Sequence, residues 1–253
     1  MHQYALPMGL ILFAAWCFTV AFAGGLVGLV LGNLRLPATL VVASSAGAGT
    51  GANLLVSAAA AGAAAVAHIR AGRVNWRLFA WMAPPSIAFA VLGGYVSGVL
   101  PRTPLLAAIA TVLIVSGLQL LGWQPVAQHA RTELDLRAAV ASGAIVGFLG
   151  GVVGLILGSL RMPALLRLVG EPASSAAGVN VTIGFWVGIA GALGHLPSAA
   201  PDWKVAGVGA AASIPGALLG ARLTGRLSEP QLIRAIALVV IVAGVSTGVE
   251  AVA

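Results

Sequence analysis

Two arginines stand where the sequence otherwise offers only side chains suited to lipid. Arg35 lies in GGLVGLVLGNLRLPATL, residues 24–40, and Arg161 in GGVVGLILGSLRMPALL, residues 150–166, each followed two positions later by a proline. A guanidinium is a planar fork of donors that matches a carboxylate, phosphate or sulfonate, and inside a bilayer its cost makes it a functional marker. Asn53 in GTGAN and Asn180 in AAGVN form a second repeated polar pair beside glycine. Asn33 and Ser159 flank the arginines, and Thr50 adds a hydroxyl. Two cations with amide and hydroxyl donors could hold a small anion. The competing reading has the arginines snorkelling to an interface and the asparagines capping helix ends or bonding a neighbouring helix.

Other chemistries lack their residues. There is no HExxH, no paired carboxylate in an apolar run and no histidine cluster. The six acidic residues, Glu133, Asp135, Glu171, Asp202, Glu229 and Glu250, fall in connections or near the C-terminus, so a hydrolase or metal pump finds little support. His68 and His195 invite a proton relay, but both lie near helix ends beside loops and read as interfacial. Cys17 is the only cysteine, which excludes an internal disulfide or thiolate cluster and leaves helix packing as its role. No cofactor is expected.

The two arginine segments agree at 12 of 17 positions with an offset of 126. After a one-residue insertion the match continues at an offset of 127, pairing Gly51 with Gly178, Asn53 with Asn180, His68 with His195, Trp76 with Trp203 and Gly93 with Gly220. The chain therefore reads as a duplication, with repeats at 1–127 and 138–253 and a polar linker, QHARTELDLR, at 128–137. Within each copy the glycines and the proline mark a helix break, with a new helix starting near Pro37 or Pro163. Backbone groups freed at membrane depth must be satisfied by protein, water or ligand, so such breaks line cavities, and the new helix N-termini would favour an anion.

Composition sets the surrounding solvent. Of 253 residues 60% are hydrophobic and 8% charged, with a mean hydropathy of +1.04, too apolar for a water-soluble globule. Charge-free runs such as 78–100, 103–130 and 138–160 reach the ~20 residues that cross ~30 Å of hydrocarbon. Period-2 alternation is absent, which excludes a barrel. The +7 formal charge is scattered singly through connections, so it points to lipid head groups and not to nucleic acid. The N-terminus lacks the basic start of a cleaved signal peptide, so the first apolar run is expected to be retained.

These elements predict an all-α polytopic membrane protein of two homologous repeats, with roughly seven or eight transmembrane helices, some of them broken or re-entrant. Four apolar segments per half are expected: 5–33, 36–69, 77–100 and 103–127, then 138–160, 162–196, 203–225 and 230–252. Eight plain crossings divide the Lys and Arg residues six to seven and give no orientation. Equivalent loops, however, exchange their basic charge. Arg70, Arg73 and Arg77 face Lys204 alone, and Arg102 faces Arg222, Arg226 and Arg234, as inverted repeats would show. Inversion needs an odd number of passes per half and puts both termini outside. Pro84, Pro85 and Pro215 are expected to kink their helices, Trp76, Trp123 and Trp203 to mark head-group belts, and Arg222 with Arg226 to meet lipid phosphate. Gly143, Gly147 and Gly151 could pack within one chain or between two, which leaves the oligomeric state, a homodimer included, open.

The order of the arginine segments, then HIRAGRVNWRLF, then LGGYVSGVLP or LLGARLTGRL resembles the TauE/SafE family of sulfite exporters across nearly the whole chain. The resemblance implies secondary transport, without a prosthetic group, of small anions such as sulfite, sulfoacetate or other organosulfonates across the cytoplasmic membrane. Family members carry a denser glycine run before the proline, whereas Asn33-Leu34-Arg35 and Ser159-Leu160-Arg161 intervene here, so the substrate is open to differ from sulfite. The readings to set against a carrier are an anion channel and a membrane scaffold without substrate.

Overall fold

The computed structural model describes residues 2–96, 101–122, 135–195 and 200–252. Every regular element among them is helical: α1 (His2–Val27), α2 (Gly32–Val42), α3 (Ala46–Arg70), α4 (Trp76–Tyr95), α5 (Arg102–Leu121), α6 (Leu136–Val153), α7 (Gly158–Ala164), a π-helical turn (Leu165–Val169), α8 (Ala173–His195), α9 (Trp203–Thr224) and α10 (Glu229–Val252). Among the described residues all but α2, α7 and the π turn, eight helices in total, are long and apolar enough to cross a membrane. The all-α membrane reading holds. Trp123 and linker residues 128–134 lie outside the described residues.

Short polar side chains start the helices. Ser45 accepts from Ala48 N, Asn75 from Leu78 N, Asp135 from Ala138 N and Asp202 from Val205 N, each filling one orphan donor of a first turn. Asp202 also accepts from Ser44 N and donates its own N–H to Ala48 O, so it ties the α2–α3 turn to the start of α9. Those backbone N–H bonds hold its carboxyl below the usual range.

The breaks fall earlier than the proline signal suggests. α1 ends at Gly28 (φ +69°) and α6 at Gly154 (φ +70°), left-handed residues that glycine adopts without strain. Leu29 N then donates to Gly24 O at 2.8 Å and Leu155 N to Gly150 O at 3.0 Å, the six-to-one bond of a Schellman cap. Helix resumes at Gly32 and Gly158, so Pro37 and Pro163 lie inside α2 and α7 and do not start them. The caps carried by glycine, and not the missing proline donors, decide where the chain turns. The expected segment 162–196 is likewise divided, at Gly170–Pro172.

Close contacts fix the helix directions. α1 runs parallel to α9, with Phe18 on Gly216 and Phe22 on Gly220, and α4 runs parallel to α6, with Ser86 on Gly147 and Ala90 on Gly151. A methyl at Gly220 or Gly151 would overlap a carbonyl oxygen of its neighbour. The small residues Gly143, Gly147 and Gly151 are thus consumed within the chain. α3 lies parallel to α9 (Gly51 on Pro201, Val56 on Gly209) and antiparallel to α8 (Ala58 on Gly188, Gly62 on Phe185). α2 doubles back along α3, from Gly32 at Ser57 to Leu40 at Gly49. α5 and α10 are antiparallel, with Gly117 at Ile241 and Gly248 at Ala110. The result is that α1, α3, α5 and α9 point one way and α4, α6, α8 and α10 the other.

That arrangement sorts the charge which eight plain crossings leave balanced. Arg70, Arg73, Arg77, Arg137, Arg167, Arg222, Arg226 and Arg234 collect at one end, while Arg102 and Lys204 start α5 and α9 at the other. Each half turns back at its break, which moves every later loop of that half to the opposite face.

Gly28 and Gly72 separate backbone strain from packing. Both have positive φ, but a methyl on Gly28 would overlap Ala177, whereas one on Gly72 meets nothing within 4 Å. Gly72→Ala should cost about 1–2 kcal/mol, the left-handed penalty alone. Gly28→Ala should lower the unfolding temperature in detergent clearly further, as read by thermal size-exclusion chromatography.

Candidate functional site

Both arginines are buried, Arg35 at 2% exposure and Arg161 at 0%. Neither snorkels. Each is held by the asparagine that follows it in its half. Arg35 Nε donates to Asn53 Oδ1 at 3.0 Å, and its Nη2 donates to Asn53 O and to Ser57 Oγ. Arg161 Nη1 donates to Asn180 Oδ1 at 3.1 Å and to Asn180 O at 3.5 Å. Position 184, the counterpart of Ser57, is glycine, and Arg161 Nε is left buried without a partner. The second guanidinium is therefore the less satisfied of the two.

The asparagine amides face the other way, onto the breaks. Asn53 Nδ2 donates to Gly32 O at 3.1 Å. Asn180 Nδ2 donates to Gly158 O at 3.1 Å and, across the molecule, to Gly28 O at 2.8 Å. One amide thus bridges the two breaks, which also meet where Val30 packs near Gly158 and Gly184. Asn53 and Asn180 lie inside α3 and α8 and cap no helix end; each donates to the first residue of the restarted helix of its half, and Asn180 also serves Gly28 O within the first break.

The remaining expected residues divide. Asn33 is buried but turned away, donating to Ala243 O and Thr247 Oγ1 of α10 at 3.0 and 3.1 Å. Ser159 is buried beside Arg161 in sequence, on the first turn of α7. Thr50 is not brought to the site: it bonds Ala46 O in the first turn of α3. His68 is fully buried in the last turn of α3, against the backbone of Gly25 in α1; the His195 side chain lies outside the described residues. Ser57 and the break carbonyls escape a sequence reading, although Ser57 stands one helical turn after Asn53 and the i, i+4 spacing was there to use.

Among the described residues no carboxylate faces either guanidinium, and no cluster of metal-ligating side chains occurs. Two cations thus sit at facing helix breaks, held by neutral groups alone. Such a pair can neutralise an anion.

The profile of the family described as Sulfite exporter TauE/SafE matches residues 12–247. The chain belongs to the TauE/SafE family. This is a family of membrane transporters and not of enzymes, and the eight apolar helices fit a multi-pass protein of the cell membrane. The chain is also similar to the "Probable membrane transporter protein YunE" of Bacillus subtilis (strain 168), 30% identical over 100 residues, which is 40% of this chain and 35% of that relative. No solved structure matches. In this TauE/SafE protein the arginine segments and both breaks fall within the matched span.

Asn180 carries more of the site than Asn33. Asn180→Ala leaves Arg161 only the backbone oxygen of residue 180 and takes a donor from two buried carbonyls, so it should cost about 2–3 kcal/mol. Asn33→Ala, which breaks neutral bonds between helices, should cost about 1 kcal/mol. Paired melting curves of the two variants in one detergent check the order.

Proposed function

We propose that this protein is a secondary transporter which moves a small sulfur-containing anion, sulfite or an organosulfonate, across the cytoplasmic membrane by alternating access. The observation that carries the reading is the pair of buried guanidiniums at facing breaks, unmatched by any carboxylate among the described residues. A buried charge left uncompensated is destabilising, so an anion entering there offsets a cost that is already built in. Arg161, with a free Nε–H, is the main contact; Arg35, with Ser57 as an added acceptor, plays the lesser part.

The topology supports the mechanism. The two halves are inverted repeats: α1 points opposite to α6, α3 to α8, α4 to α9 and α5 to α10, and the substrate site lies where their broken helices meet. With eight of the described arginines at one end, that end is cytoplasmic and both chain termini lie on the far side. The family description supplies the substrate class; the site itself asks for a small anion.

Thermal stabilisation of purified protein across sulfite, sulfate, thiosulfate, taurine, sulfoacetate and simple carboxylates tests this. A ligand that binds the folded state alone adds about 2.7 kcal/mol at 100 times its Kd. A selective shift with one sulfur anion is expected, abolished in Arg161→Gln and weakened in Arg35→Gln. No shift with any anion in a well-folded protein would overturn the reading.

A further inference from the structure

A sizeable cavity and a nearly closed space occupy equivalent positions in the two halves. The cavity, about 220 Å³, lies beside the second break, among the ends of α4, α6 and α8. The closed space, about 10 Å³, lies beside the first break, among α1, α3 and α9, and is bordered by Arg35. Ala90, Gly151, Ile156, Val187 and Gly191 line the first. Their counterparts by the 126 and 127 offsets, Ala217, Gly25, Val30, Ala60 and Ala64, line the second. A space of about 10 Å³ barely admits one water, whereas the cavity admits a small anion with its hydration.

Sequence differences explain the asymmetry. Gly94 and Gly191 border the cavity, and a methyl at Gly94 would meet nothing within 4 Å. Their counterparts are Ala221 and Ala64, whose methyls pack with Ala21, Ala60, Val181 and Ala217 into a buried apolar cluster. Arg73 then fastens the closed side, its Nη1 donating to Ala221 O at 3.0 Å from the α3–α4 turn. The counterpart of Arg73 is Ala200, which can supply no such bond.

We infer that the cavity and the closed space are the two vestibules of one anion pathway. The structure holds the state open at the arginine-poor end, and the alanine cluster with Arg73 is the gate at the arginine-rich end. This rests on the transporter reading above and adds to it which end is open, which residues shut the other, and why the balance favours this state. The opposite state forms when the first half takes the packing now seen in the second, which opens the cluster and closes the cavity.

Thiol labelling tests it without any anion. In a Cys17→Ala background, Gly94→Cys and Gly191→Cys are compared with their counterparts Ala221→Cys and Ala64→Cys, using a membrane-impermeant methanethiosulfonate reagent on membrane vesicles of each orientation. The cavity pair should react from the arginine-poor side at least about tenfold faster than the closed pair reacts from either side, since a minor state is populated at about 10% or less. Adding Arg73→Ala should slow the cavity pair and speed the closed pair from the arginine-rich side. Equal rates for the two pairs, faster reaction of the closed pair, or rates indifferent to Arg73→Ala would overturn the inference. Reciprocal labelling in a protein that no anion stabilises would leave the vestibules standing and refute only the anion reading.

Discussion

A helix that breaks inside hydrocarbon leaves carbonyls and N–H groups that no water can serve, and this structure depends on how those groups are satisfied. The Schellman caps at Gly28 and Gly154 take part of the load. Asn180 serves Gly28 O in the first break, both asparagine amides clip the start of a restarted helix, and the arginines in turn hold the asparagine oxygens. Each clip joins a broken segment to the long helix that follows it. Because Asn180 reaches Gly28 as well as Gly158, one side chain bridges the two breaks. The same clips bury two guanidiniums among neutral partners, and the proposed anion reading starts from that uncompensated charge.

Around that centre the helices pack by glycine and alanine contacts, α1 on α9 and α4 on α6. Association in lipid gains little from burying apolar surface, so close backbone approach has to supply the packing. The same small residues set what space the halves leave, an alanine cluster on one side and a glycine-lined cavity on the other.

Much of this was legible in the residues themselves. Hydropathy gives the helical membrane class, and the duplicated arginine segments point to the breaks and to the Arg and Asn pairs. The exchange of basic charge between equivalent loops raises opposite directions for corresponding helices, and α3 and α8, which carry Asn53 and Asn180, run antiparallel. The position of each break was displaced because proline is a local signal, whereas the turn is set by a left-handed glycine and its cap four residues before the helix restarts. Thr50 looked equivalent to the other polar groups, yet its hydroxyl is satisfied within its own helix turn, a local choice that sequence proximity cannot reveal. Ser57 was reachable by its i, i+4 spacing from Asn53, whereas the burial of His68 and the bridge from Asn180 to Gly28 depend on contacts between distant segments that no spacing encodes.

The central claim, that an anion seated at the two guanidiniums is carried by exchange between states, is tested most directly by counterflow. Proteoliposomes preloaded with unlabelled sulfite or taurine are diluted into a trace of the same labelled anion, and its uptake is followed. The account predicts a transient accumulation of label driven by the unlabelled anion, saturable and absent from Arg161→Gln. Flux that shows no acceleration by internal anion, or that persists unchanged in Arg161→Gln, would contradict it.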